Sequence, residues 1–128
     1  MHYWILLFAL WTASNSKPAV DRFSFTCSRQ SDSLALVSFY QSTNGQDWVV
    51  PWNLNQTMNN WYGVELDGSG CVIALRLASL NITGTIPNEL GLLENLRVLY
   101  LVDNKINGTL PSSIGLLRQL EEINLEGN

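Results

Sequence analysis

VIALRLASLNITGTIPNELGLLEN (72–95) runs without a break into LRVLYLVDNKINGTLPSSIGLLRQ (96–119) and then LEEINLEGN (120–128). Set under one another, the three lines agree at a period of 24 residues. Val72, Leu96 and Leu120 share a column, as do Leu75, Leu99 and Ile123, and Leu77, Leu101 and Leu125. The two complete lines also match at Ile82/Ile106, Gly84/Gly108, Ile86/Leu110, Pro87/Pro111, Leu90/Ile114, Gly91/Gly115 and Leu93/Leu117. Chance does not align so many columns. A fixed period of this length marks stacked units, each burying its apolar face only against its neighbours.

These columns resemble the leucine-rich repeat in its 24-residue plant-type form, L-x-x-L-x-L-x-x-N-x-I-x-G-x-[IL]-P-x-x-[IL]-G-x-L, over residues 72–128. The resemblance implies an α/β solenoid with short parallel strands on a concave face, an irregular or 3-10 convex side, and a helical cap at the N-terminal end. The L-x-L core is then a strand with leucines turned inward and the intervening residues outward. Asn104 and Asn128 fall where the family's asparagine hydrogen-bonds buried backbone. Leu80 holds that place in the first repeat, so the asparagine ladder is expected to begin at Asn104. Pro87 and Pro111 lack an N–H and suit a convex loop.

The chain has 128 residues, one small domain's worth, with 7 Lys plus Arg against 11 Asp plus Glu and a net charge of −4. No basic field exists for nucleic acid. The only histidine is His2, which argues against a His-based triad, acid/base pair or zinc site. Glu121, Glu122, Glu126 and Asp103 invite a hydrolase reading, but a row on an exposed strand face lacks the facing carboxylates of a glycosidase cleft. Glu65, Asp67 and Asp103 lack the spacing of a calcium loop. The chain is expected not to be an enzyme and to need no metal or cofactor.

Tyr3 to Trp11 form an unbroken apolar run, too short to span a bilayer and of signal-peptide length. Ser14 and Ser16 suit cleavage before Lys17; a buried N-terminal strand is the alternative. No second run approaches spanning length. The expected organisation is a signal peptide over 1–16, a cap over 17–71 and repeats over 72–128. Secretion makes Cys27 and Cys71, the only cysteines, candidates for a disulfide, against the alternative of two buried thiols. Asn55, Asn81 and Asn107 head N-x-[ST] sequons and are candidate glycosylation sites.

Residues 32–45 (DSLALVSFYQSTNG) read as a helix with Asp32 as N-cap, Leu34, Val37 and Tyr40 at helical spacing, and Asn44-Gly45 as stop. Trp48, Trp52 and Trp61 follow, either as a carbohydrate-stacking set or as cover for the open end of the leucine core. The stretch is similar to the cap of extracellular leucine-rich-repeat proteins, with D-x-x-A-L-x-x-[FL]-Y before N-G-x-x-W and W-Y-G-V. Plant receptor caps carry a cysteine pair flanking W-Y-G-V, where this chain has Asn59 and Leu66. Cys27 and Gly70-Cys71-Val72 instead resemble secreted bacterial and protist versions, which implies a Cys27–Cys71 bond.

Outward strand residues should stack about 4.8 Å apart into concave columns: Ile73/Arg97/Glu121, Ala74/Val98/Glu122, Arg76/Tyr100/Asn124, Ala78/Val102/Glu126 and Ser79/Asp103/Gly127. Arg76, Val98, Tyr100, Val102, Glu122, Asn124 and Glu126 are the candidate ligand-binding residues, with Tyr100 and Arg76 as anchors. An Arg97–Glu121 pair with nothing bound is the alternative. The expected function is a non-catalytic, secreted or cell-surface recognition module for a protein, peptide or glycan. The alternative is a structural or adhesion segment, or an ectodomain piece of a receptor kinase, without a ligand of its own. The third repeat stops right after its strand, so the sequence reads as part of a longer chain or as one that pairs through its open edge.

Overall fold

The computed structural model describes residues 27–128. The proposed signal peptide, its cleavage site and the segment up to Thr26 lie outside them. Helix α1 (Arg29–Ser42) is followed by short 3-10 helices at Gly45–Asp47 and Met58–Asn60. Six strands follow: β1 (Val64–Leu66), β2 (Val72–Arg76), β3 (Thr83–Gly84), β4 (Val98–Tyr100), β5 (Lys105–Ile106) and β6 (Glu122–Asn124). The main sheet runs β1-β2-β4-β6, and β3 pairs with β5 in a small second sheet. On the convex side stand the 3-10 helices Asn88–Leu92 and Ser112–Leu116, each entered from a proline in extended conformation.

The period dictates the register. Leu75 lies beside Leu99 and Leu99 beside Ile123, so parallel neighbours are offset by one repeat. Leu75, Leu77, Leu99 and Leu101 are fully buried in one core with Ile82, Leu90, Leu93 and Leu96. Ile123 on β6 is 45% exposed. At the end of each strand the chain turns through a left-handed residue, at Ser79, Asp103 and Gly127 in succession.

Asn104 is 6% exposed and serves five backbone groups. Its Oδ1 accepts from the N–H of Leu80 (2.9 Å) and Ile82 (3.1 Å), while Nδ2 donates to the carbonyls of Leu77, Leu101 and Val102. Asn128 repeats the pattern toward Ile106, Leu101 and Leu125. The ladder begins at Asn104, and Leu80 is buried.

The cap differs from its sequence reading in two ways. The helix starts four residues earlier than expected, with Ser28 in place of Asp32 as the N-cap, accepting from the Ser31 N–H. Asp32 sits in the first turn, 1% exposed, and its Oδ2 accepts the Val72 N–H at 2.9 Å. A carboxylate committed to β2 leaves the capping role to a residue outside the expected span. The buried face is Asp32, Ala35, Leu36 and Phe39, while Leu34 is 56% exposed. The two stripes lie one residue apart, and packing against the repeats selects the one with the smaller Ala35.

Trp48, Trp52 and Trp61 are each 4% exposed and belong to the core. Trp52 stacks between Tyr40 and Trp61, with ring centroids 5.6 and 5.1 Å away, and meets Trp48 edge-on at 5.0 Å. Their indole N–H groups donate to the carbonyls of Thr43, Tyr62 and Asn53. They cover the end of the leucine core, which removes them as a carbohydrate platform. Cys27 and Cys71 form a disulfide with Cα atoms 5.7 Å apart. The other end of α1 is tied to the first repeat by the Ser42 hydroxyl, which donates to the Thr85 carbonyl at 2.6 Å. Gly84 has φ +81, and a Cβ there would lie 2.2 Å from the Ser42 carbonyl oxygen.

Candidate functional site

The outward residues of β2, β4 and β6 stack strand to strand on the concave side. Ala74, Val98 and Glu122 form one register row; Arg76, Tyr100 and Asn124 form the next. Ala74 is 2% exposed, so its row offers only Val98 and Glu122.

Arg76 and Tyr100 organise this face. Arg76 Nε lies 2.9 Å from Glu65 Oε1, and Arg76 Cζ lies 5.0 Å from the centroid of the Tyr100 ring. The Tyr100 hydroxyl donates to Glu122 Oε2. Glu65, Arg76, Tyr100 and Glu122 thus form a continuous chain across all four strands. The ion pair is about half exposed and worth only about 0–1 kcal/mol, so its consequence is orientation. A guanidinium over an aromatic face, itself held by a carboxylate, has few alternative positions. The hydrogen bond to Glu122, reinforced by that carboxylate's charge, raises the Tyr100 pKa above its ordinary value, so the hydroxyl remains a neutral donor across the physiological range.

Of the residues chosen from sequence, Arg76, Tyr100 and Glu122 come into contact. Val98 and Val102 flank Tyr100 along the chain, each half-buried. Asn124 turns its Oδ1 to the Glu126 N–H at 2.9 Å, and so caps its own strand end. Glu126 is exposed beyond it. Arg97 Nε stands 3.7 Å from Glu121 Oε1, the solvated cross-strand pair anticipated from the columns.

Glu65 was missed as a member of this face. It sits on β1, which pairs antiparallel with β2 and places Glu65 opposite Ala74. Asp67-Gly68-Ser69-Gly70 between V-E-L and V-I-A-L-R was the available signal, a turn between two alternating runs. Asn55, Asn81 and Asn107 are all exposed. Among the described residues no group of three or more His, Cys, Asp or Glu is placed to hold a metal ion.

These features define a capped leucine-rich-repeat solenoid that presents an open sheet face. Residues 95–117 match the family described as Leucine Rich Repeat. The chain is 35% identical over 89 residues to the leucine-rich repeat receptor protein kinase EMS1 of Arabidopsis thaliana, an alignment covering 65% of this chain and 7% of that protein. It superposes on the crystal structure of PEPR1–AtPEP1 with a TM-score of 0.65 and 28% identity, covering 77% of this chain and 14% of the other. The crystal structure of the BIR3–SERK2 complex from Arabidopsis thaliana matches with a TM-score of 0.62 and 28% identity, over 76% of this chain and 56% of that one. The chain therefore spans only a small part of the length of the curated relatives it matches.

Proposed function

We propose that the chain is a non-catalytic extracellular recognition module that binds a protein or peptide on its concave face. The observation that carries this reading is the Glu65–Arg76–Tyr100–Glu122 chain, an oriented aromatic and guanidinium on an open sheet. Two similar solved structures support it, one of PEPR1 with AtPEP1 and the other of BIR3 with SERK2. Val98, Val102, Asn124 and Glu126 complete the surface, and a glycan is an alternative ligand class. No nucleic acid and no cofactor enter this reading.

Secretion follows from the apolar run before Lys17 and agrees with a disulfide in an oxidising compartment. Among the described residues no helix is long and apolar enough to cross a membrane. Asn55, Asn81 and Asn107 are proposed as glycan carriers. The cysteine arrangement is read as the secreted bacterial and protist version of the cap, on Cys27 and Gly70-Cys71-Val72 alone. Self-association through β6 belongs to the same proposal, because among the described residues that strand is paired with β4 alone and Ile123 is exposed on it.

The test is selection of a displayed random-peptide library on the secreted chain. Selected peptides are expected to lose about tenfold or more in affinity for Tyr100→Ala, and similarly for Arg76→Ala. Peptides indifferent to both variants would overturn the concave-face assignment. A chain that selects nothing points to the second reading, a structural segment of a longer receptor whose concave charges satisfy one another. The Arg97–Glu121 pair favours that alternative.

A further inference from the structure

In the cap, α1, the loop around residues 54–61 and Leu66 of β1 line a half-open cleft of about 530 Å³ that shares no residue with the concave chain. That volume lies within the range of small-molecule sites, about 300–1,000 Å³. Val37, Leu54, Met58, Trp61 and Leu66 supply apolar wall, and among the described residues Arg29 is the only charged one lining it. Arg29 opens helix α1, where the helix dipole disfavours a cation, so helix stability does not account for it.

The guanidinium is also held in place. Nε and Nη2 donate to the Ser69 carbonyl at 3.4 and 3.2 Å. Gly70, at φ +82, leaves room for it, since a Cβ there would lie 2.7 Å from Arg29 Nε. A guanidinium carries five N–H donors, and this contact engages two of them. Arg29, an exposed residue that lines the cleft, stands at the N-terminal end of a 14-residue helix, whose dipole favours a negative charge.

We propose that this cleft is a binding site for a small molecule with an apolar body and a single anionic end. The carboxylate or equivalent acid sits on Arg29, and the hydrocarbon or ring lies against Trp61, Val37 and Leu66. Charge complementarity selects the anion, and the apolar walls exclude small hydrophilic acids. The site is separate from the concave face, and its success or failure leaves the peptide-binding reading untouched.

The experiment titrates the secreted, disulfide-bonded chain with decanoate, 1-decanol and decylamine by calorimetry. Decanoate is expected to bind, and the alcohol and amine to bind about tenfold more weakly or not at all. Arg29→Gln should reduce decanoate affinity by about tenfold or more while leaving the thermal melt cooperative. Arg29→Glu should reverse the preference toward decylamine, which a merely structural role for Arg29 would not produce. Equal affinity for decanoate and decanol, unchanged binding in Arg29→Gln, or no binding overturns the proposal. No binding is the outcome expected if the chain's own N-terminal segment or a second copy fills the cleft, with sedimentation revealing the latter.

Discussion

In the cap, three indoles, one disulfide and one buried carboxylate each occur once; in the repeats, one leucine pattern and one asparagine recur every 24 residues. Both regions seal the same core. The repeats do it with many small contacts copied from unit to unit, so each strand finds the next by matching its own pattern. The cap has no preceding unit to match, and it closes the end with large side chains whose positions are set by one another. Trp52 illustrates this, since its neighbours Tyr40, Trp48 and Trp61 all come from the cap. A solenoid thus needs two kinds of information, a period along its length and a unique arrangement where the period begins.

The sharpest way to break the contrast is to empty the middle of the aromatic stack. Trp52→Ala should cost about 3–5 kcal/mol in chemical denaturation, because nothing in the cap can take its place. A loss below about 1 kcal/mol would mean that the stack does not close the core. Next in size is the disulfide. Replacing Cys27 and Cys71 together with serine releases a loop of 44 residues, for an expected loss of about 4 kcal/mol or somewhat less. Equal stability of the reduced and oxidised chain in urea would contradict it.

On the repeat side, Asn104→Ala orphans the Leu80 and Ile82 N–H groups and the Leu77 carbonyl, and should cost about 3 kcal/mol. The Leu101 and Val102 carbonyls keep the Asn128 amide and the Ser79 N–H. Asn128→Ala removes the same kind of contact at an exposed end and should cost about 1 kcal/mol or less. Similar losses from the two would show that burial does not set the value of a rung.

The smallest effect separates two aspartates at the junction. Burial raises the Asp32 carboxyl above its ordinary value, against the opposing Val72 N–H, with Glu94 and Asp67 adding to the rise. The folded chain holds that proton more tightly than the unfolded one. This group's stabilising contribution is therefore full below pH 3.8 and is lost as pH rises through the folded value. Asp67 is only half-buried and behaves oppositely: the Cys71 N–H lowers its pKa, so its contribution is present above pH 3.8 and fades as pH falls through the folded value. Melting curves from pH 7 to 3 should show that Asp32→Asn removes a component that gains stability on acidification, and Asp67→Asn one that loses it. Identical pH profiles for both variants would refute the assignment.

The repeats were legible because each of their contacts is written twice in the chain. The rows Ala74/Val98/Glu122 and Arg76/Tyr100/Asn124 follow from the 24-residue period and stand in that register. The cap was legible only in outline. Asp32 has the chemistry of an N-cap, and nothing near it in sequence says that its carboxylate is committed to Val72, 40 residues away. Leu34 and Ala35 belong to overlapping stripes, and local periodicity favours the larger residue while packing buries the smaller. Glu65 entered the candidate site only through an antiparallel pairing, which carries no period.

What the sequence determined alone is the solenoid, its register, the outward columns and the place where the asparagine ladder begins. Each follows from a repeat that fixes which residue stands beside which, whatever the ends do. Tertiary structure alone decided the helix start, the indole packing, the chain from Glu65 to Glu122, and the cleft that gathers Arg29 with Trp61. Those depend on contacts between segments that occur once, and a pattern that is not repeated leaves no trace of its partner in the chain.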